Sequence, residues 1–340
     1  MSRREFHQLR VADVVAETGD ACSVVLDVPA EATGAFTYRP GQFVTVRIPD
    51  GDAGSVARCY SLSSSPHAGD PPTITVKREP GGHASNWIAD NVRPGTVLDT
   101  LPPAGTFCPQ SLDTDFLLFA AGSGITPVIS ILKSALAKGQ GRIVLCYANR
   151  DEDSVIFGAE LGRLEARAGQ RLQVVHWLDS AQGPPTVAGM AEIARPYASW
   201  EAFLCGPDPF MAAVREALGG LGMPAHRVRA ERFLSLADNP FDPRPVTGGM
   251  PASLEVTLDG ESRMLEWPAG TRMLDVLIDE GLDAPYSCRE GVCGACACQL
   301  TSGKVEMAHN EVLGHEDVED GLILACQAVP LTETVSICYP

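Results

Sequence analysis

The sequence lacks any hydrophobic run long enough to cross a bilayer. Its longest apolar stretches, such as Phe116 to Ala121, fall far short of the roughly 20 residues a spanning helix needs. No transmembrane segment is expected. The amino terminus, Met1 to His7, has basic residues but no apolar stretch behind them, so a secretory signal is not expected and the chain is read as cytoplasmic. Basic charge is also short: 26 Lys and Arg face 43 Asp and Glu, for a formal net charge of −17. That balance excludes a nucleic-acid partner, whose phosphates need a basic surface. Internal repeats and low-complexity tracts are absent. The 11 cysteines are an odd number in a chain of 340 residues, and four of them fall between Cys288 and Cys298. Both facts argue against a disulfide framework and for a reducing compartment with a metal site.

What is present begins with that cysteine group. Cys288, Cys293 and Cys296 stand at C-x4-C-x2-C spacing, with Cys326 downstream, which is the plant-type pattern for a 2Fe-2S cluster. Small Gly291, Gly294 and Ala295 allow backbone N–H groups to approach the sulfurs. Zinc ordinarily takes paired C-x2-C knuckles, and a Rieske centre needs two histidines; neither pattern is met. Cys298 is read as a buried small side chain facing away from the metal. Acidity concentrates at the same end, with 16 acidic against 4 basic residues from Ser253 to Pro340. A docking surface and plain solubility both account for it.

A length of 340 residues implies two or three domains. From Leu9 to Leu101 short strands alternate with turn signals, as in an antiparallel barrel. From Phe116 to Ala230 strands alternate with helices, which predicts an α/β domain with a largely parallel sheet. Leu236 to Ala252, rich in Pro and Gly, reads as a flexible linker. Beyond it come two strands around Asp259-Gly260, a helix at Leu274 to Glu280, and the cysteine loop.

Two further motifs carry chemistry. Arg58-Cys-Tyr60-Ser61, then Lys77 and Gly82-His-Ala84-Ser85 before a helix, supply the cation, ring, hydroxyl and glycine turn that a flavin with a phosphate tail needs. Ordinary strand residues explain the first four equally well. Ala121-Gly122-Ser-Gly124-Ile-Thr126-Pro127 joins an apolar strand to a helix, and Cys205-Gly206-Pro207 repeats the arrangement. Proline replaces the third glycine of the ordinary dinucleotide fingerprint, yet two glycine turns at strand ends favour a nucleotide crevice.

In combination these residues resemble the ferredoxin NADP reductase superfamily. The matching parts are Arg-x-Tyr-Ser, Gly-x-Gly-x-Thr-Pro, Cys-Gly-Pro and a closing Glu231-Arg-Phe233. With a plant-type ferredoxin at the carboxyl end, the chain is similar to reductase components of bacterial multicomponent oxygenases. Pro103 to Phe107, Gly122 to Val128, Tyr147 to Glu152, Val175 to Leu178 and Ser287 to Cys296 resemble the reductases of 3-ketosteroid 9α-hydroxylase systems, which feed a Rieske oxygenase. Phenylacetyl-CoA epoxidase reductases share the domain order.

The resemblance implies an FAD-binding antiparallel β-barrel at 1–108, an NAD-binding α/β domain at 109–235, a linker at 236–252 and a β-grasp ferredoxin at 253–340. It implies that Arg58, Tyr60, Ser61 and Lys77 hold the flavin, Gly82, Ala84 and Ser85 its pyrophosphate, and Cys288, Cys293, Cys296 and Cys326 the cluster. Gly122, Gly124, Thr126, Pro127, Gly206 and Pro207 would seat NADH. Phe233 would cover the flavin beside Glu231, and Cys205 would position nicotinamide. Asp151 to Asp153 favour NADH over NADPH, while Arg150 would favour a 2′-phosphate. The implied function is electron transfer from NADH through FAD and the cluster to a terminal oxygenase of Rieske type, in steroid or aromatic catabolism. Alternatives are service to a di-iron monooxygenase or an epoxidase, or a non-catalytic electron-transfer subunit of a dehydrogenase complex.

Overall fold

The computed structural model describes residues 6–51, 54–236, 239–241, 250–258 and 260–339. Strands β1 (His7–Thr18), β2 (Ala21–Asp27), β3 (Phe43–Pro49), β4 (Ser55–Ser61), β5 (Thr73–Lys77) and β6 (Val97–Thr100) form one antiparallel sheet in the order β4-β3-β6-β1-β2-β5. A bridge from Leu62 to Ile74 joins its two edges, so the sheet curls into the expected barrel. Alternation along each strand fills the interior. Leu9 and Val11, Val44, Val46 and Ile48, and Ile74 and Val76 all point inward. Helix α1 (His83–Asn91) follows β5 and buries Ala84 and Ile88 in that core.

The second body is a five-stranded parallel sheet. Its elements are β7 (Phe116–Ala121), α2 (Ile125–Lys138), β8 (Ile143–Asn149), α3 (Gly158–Ala168), β9 (Leu172–Leu178), α4 (Asp179–Gln182), α5 (Val187–Ala194), β10 (Glu201–Cys205), α6 (Asp208–Gly220) and β11 (Val228–Glu231). The order β11-β10-β7-β8-β9 reverses between β7 and β10, and an open α/β sheet binds ligands at such a reversal. Because helices cover both faces, β7 and β8 are buried along their whole length. Helix α5 has no counterpart in the sequence reading. Gly189 in its middle lowers helix propensity, and it is retained because a Cβ there would collide with the Trp177 ring.

The third body comprises β12 (Ala252–Leu258), β13 (Glu261–Trp267), α7 (Met273–Asp279), β14 (Ala297–Ser302), β15 (Val305–Met307), α8 (His315–Glu319), β16 (Leu322–Leu324), β17 (Ala328–Pro330) and β18 (Thr334–Cys338). The mixed sheet runs β13-β12-β18-β14-β16, with β12 and β18 parallel. Helix α7 lays Met273, Leu274 and Leu277 on it, as a β-grasp requires. Residues 237–238 and 242–249 of the stretch read as a linker lie outside the described residues. The described ones are pinned rather than loose. Leu236 and Phe241 share a small core with Ala57, Leu101 and Cys288, and Asn239 donates to the Ser55 carbonyl at 3.1 Å.

Candidate functional site

The two glycine turns meet at the sheet reversal. Gly122 takes φ +53° directly after β7, and its carbonyl accepts from the Tyr147 hydroxyl at 3.0 Å. A Cβ on Gly124 would collide with the Cys205 carbonyl at the end of β10, and one on Gly206 would lie 2.9 Å from the Ala121 Cβ. The turns therefore pack backbone to backbone. Neither α2 nor α6 has a side-chain cap; the Ile125 N–H at the start of α2 is taken by the Gly122 and Ser123 carbonyls, and the positive ends of both helices lie at the crevice, which suits a pyrophosphate. Pro127 in the first turn of α2 gives up an N–H that has no helical partner there.

Facing these turns across a cleft of about 580 Å³ is the barrel. Arg58, Tyr60, Ser61, Lys77, Gly82, Ala84 and Ser85 line it from the barrel side, and Thr126, Gly206 and Pro207 from the sheet side. Gly82 caps α1 without a side-chain bond, and a Cβ there would press on Glu79 and Ser85. The resulting tight turn at the uncapped start of α1 fits the phosphates of a dinucleotide flavin. Lys77 lies beside Gly122 and pairs with Asp20 at 3.8 Å; Arg150 meets the same carboxylate at 3.2 Å.

The four cysteines expected to hold the cluster come together as two pairs. Cys288 and Cys293 share one hydrogen bond, and Cys296 and Cys326 another. No three His, Cys, Asp or Glu side chains among the described residues converge on one ion position. Two cysteine pairs suit a dinuclear cluster with four cysteine ligands. Backbone N–H groups of Glu290, Ala295 and Cys326 reach the sulfurs of Cys288, Cys293 and Cys296 at 3.3, 3.5 and 3.4 Å. The loop reverses at Arg289 (φ +60°), Gly291 (φ +79°) and Gly294 (φ +70°). Arg289 is buried and held by an ion pair with Asp275. Cys298 is fully buried in the same domain core as Cys296 and Cys326.

A narrow cavity of about 40 Å³ continues the cleft toward Cys288 and Cys293. Cys59, Ser61, Arg232, Phe233 and Leu234 line both spaces, and Cys288, Val292 and Cys293 close the far end. Phe233 is about half exposed at 49%. Glu231 lines the junction, and burial pushes its carboxyl up to about 7. Burial likewise pushes the Cys59 thiol up to about 12. Cys205 is wholly buried as the cross-strand partner of Glu231, and its thiol is raised well above the ordinary range by burial and that carboxylate. Its neighbours Gly206 and Pro207, rather than Cys205, line the cleft.

Several lining residues had no signal in the sequence. Thr75, Met211 and Leu234 are indistinguishable from packing residues. Asp208 and Arg232 pair through two contacts of 3.1 Å across the cleft rim. They adjoin the Cys-Gly-Pro and Glu-Arg-Phe motifs, so their position next to those motifs was the available clue. Thr45 and Ser287, whose hydroxyls lie 2.6 Å apart, are separated by 242 positions.

Comparison with known proteins agrees with this geometry. An oxidoreductase FAD-binding domain model matches residues 8–108, an oxidoreductase NAD-binding domain model 118–216, and a 2Fe-2S iron-sulfur cluster binding domain model 256–331. The chain is 55% identical over 335 residues to the ferredoxin reductase component of 3-ketosteroid-9-alpha-monooxygenase from Rhodococcus rhodochrous, covering 97% of this chain and 95% of that one. It is 33% identical to one of the subunits of 1,2-phenylacetyl-CoA epoxidase from Escherichia coli strain K12, with 98% of each chain covered. The solved structure of phthalate dioxygenase reductase, described as modular for electron transfer from pyridine nucleotides to 2Fe-2S, superposes with TM-score 0.59 at 27% identity over 98% of both chains. Among the described residues no helix is long and apolar enough to cross a membrane. The chain belongs to the ferredoxin reductase superfamily, among the FAD-, NAD- and 2Fe-2S-binding reductase components of oxygenases.

Proposed function

We propose that this chain draws electrons from NADH and passes them through FAD and a 2Fe-2S cluster to a Rieske-type terminal oxygenase of a steroid-degrading system, in the cytoplasm. One observation carries the route: two adjoining cavities share Ser61 and Phe233 and lead from the glycine turns to Cys288 and Cys293. The steroid assignment is supported by the 55% identity to a 3-ketosteroid-9-alpha-monooxygenase reductase. The division into 1–108, 109–235, a linker at 236–252 and 253–340 is part of the same reading.

Bound FAD and cluster would supply the conversion of a two-electron hydride into single electrons. The chain's part is orientation and electrostatics. Arg58, Tyr60, Ser61 and Lys77 hold the flavin ring and ribityl chain, and Gly82, Ala84 and Ser85 accept its pyrophosphate at the start of α1. Gly122, Gly124, Thr126, Pro127, Gly206 and Pro207 seat the nucleotide. Phe233 occupies the place nicotinamide must enter and yields to it, with Glu231 at the cleft's inner end. Cys205 is a positioning residue that fixes the turn carrying Gly206. Its buried, protonated thiol is no nucleophile. Arg150 is engaged by Asp20, and Asp151, Glu152 and Asp153 follow it, which supports NADH over its 2′-phosphorylated relative. Cys288, Cys293, Cys296 and Cys326 hold the cluster.

The test is an anaerobic NADH titration of the purified holoprotein, followed by addition of a purified Rieske oxygenase with a steroid substrate. Bleaching of flavin and cluster absorbance and turnover of the oxygenase are expected. Turnover with a di-iron partner alone would move the assignment to that class. Absence of any bleaching by NADH would refute the reading.

A further inference from the structure

A row of buried hydroxyls crosses the barrel wall behind the cleft. On β5 Ile74 and Val76 enter the barrel core, so Thr75 and Lys77 take the opposite face, toward the cleft they line. Thr75 Oγ1 lies 2.8 Å from Ser23 Oγ, its cross-strand partner on β2, and 2.7 Å from Ser63 Oγ. The Ser23 hydroxyl donates to Glu17 Oε1 at 2.6 Å. Thr75, Ser23 and Ser63 are all buried. With the Ser23 proton on Glu17, Thr75 donates to Ser23 in the arrangement where Ser63 donates to Thr75 at 2.7 Å rather than to the Thr73 carbonyl at 3.2 Å.

Glu17, at the far end, is half-buried against the nucleotide domain. Burial pushes its carboxyl above the ordinary range. Glu160 adds to the rise, while the Ser23 bond, Lys133 and the Phe157 backbone oppose it. Lys133 meets Glu160 at 2.8 Å and Asp70 at 2.6 Å. These three residues line a separate cavity of about 300 Å³.

The proposed function creates a need for such a row. Oxidation of NADH yields NAD⁺, two electrons and one proton. Once both electrons have gone to the acceptor, that proton must leave the cleft. Resting on that functional reading, we propose that Thr75, Ser23 and Glu17 form a proton exit from the cleft to solvent beside Lys133 and Glu160. Thr75 Oγ1 takes a proton as it passes its own to Ser23, and Ser23 passes its own to the Glu17 carboxylate. One O–H bond forms and one breaks at each hydroxyl, and no electrons move. Glu17 then releases the proton to solvent beside Lys133 and Glu160, and rotation resets the hydroxyls. Ser23 and Glu17 act through Thr75 and are relay residues, not catalytic ones.

The experiment mixes FAD- and cluster-loaded protein with NADH and excess ferricyanide in lightly buffered solution containing a pH-indicator dye. In the parent, proton release should keep pace with electron exit. In Ser23→Ala and Glu17→Gln release should lag by about tenfold or more, with flavin bleaching by NADH at the parental rate, and Ser23→Thr should restore it. Parental release in both variants overturns the relay alone. A parent that NADH does not bleach overturns the functional reading and the relay with it. As a measurement needing no variant, parental release should slow in deuterium oxide with a curved dependence on deuterium fraction, because more than one hydroxyl moves. No slowing, or a linear dependence, overturns the relay.

Discussion

Thr45 of β3 and Ser287, the residue before Cys288, share a buried hydrogen bond of 2.6 Å that ties the barrel to the cluster loop. The Cys59 thiol lies 3.4 Å from the same Thr45 hydroxyl and lines the space between cleft and cluster. Replacing Thr45 by Val keeps the shape but strands the Ser287 hydroxyl, at a cost of about 1–3 kcal/mol. The expected result is a lower denaturation midpoint, together with slower reduction of the cluster at an unchanged rate of flavin bleaching by NADH. Stopped-flow absorbance resolves the two. A slowed hydride step with intact cluster reduction would contradict this role.

Removing a cluster ligand should separate the two halves of the electron route. Cys326→Ala leaves one thiolate of its pair without a partner, so the cluster should be lost while the flavin and nucleotide sites stand. Reduction of cytochrome c by NADH should then be abolished and ferricyanide reduction spared. Surviving cytochrome c reduction would mean that electrons leave from the flavin.

The carboxyl of Glu231 gives a pH dependence with a definite sign. Its native value of about 7 lies above the ordinary 4.5, so between those pH values the native state holds a proton that the unfolded chain has lost. Stability therefore falls as pH rises through that window and levels above it. Melting temperatures of parent and Glu231→Gln, measured from pH 4.5 to 8, should diverge in that sense. Parallel curves would show that Glu231 is not buried in this way.

Gly124→Ala tests the contact between the two nucleotide turns. The added Cβ would meet the Cys205 carbonyl and Gly206 N, and backbone at both points cannot yield without moving the turn. A rise in KM for NADH of about tenfold, near 1.4 kcal/mol, is expected, with bound FAD retained. Unchanged KM would place the nucleotide elsewhere.

Much of this arrangement was legible in the sequence because it rests on local pattern. The parallel sheet follows from apolar runs such as Phe116 to Ala121 separated by helical periods, and the cluster from cysteine spacing within one loop. What escaped depends on pairs distant in sequence. Thr45 and Ser287 are ordinary residues until folding brings them together. Cys205 was expected beside nicotinamide because its motif is there, yet strand alternation turns its thiol into the core with Phe203 and Phe116. The Leu236 to Ala252 stretch has linker composition, but Leu236 and Phe241 are buried where they are described. Composition reports the cost of ordering a segment and is silent on a hydrophobic slot that offsets it.

That slot bears on kinetics. Leu236 and Phe241 pack with Cys288 and the barrel residues Ala57 and Leu101, so the cluster loop is seated on the flavin domain. A tethered carrier that shuttles between donor and acceptor would have its rate set by friction with the solvent. A seated one hands on its electron without a diffusive swing, and internal electron transfer should be indifferent to added glycerol or sucrose. Viscosity should then matter only for the encounter with the separate acceptor protein.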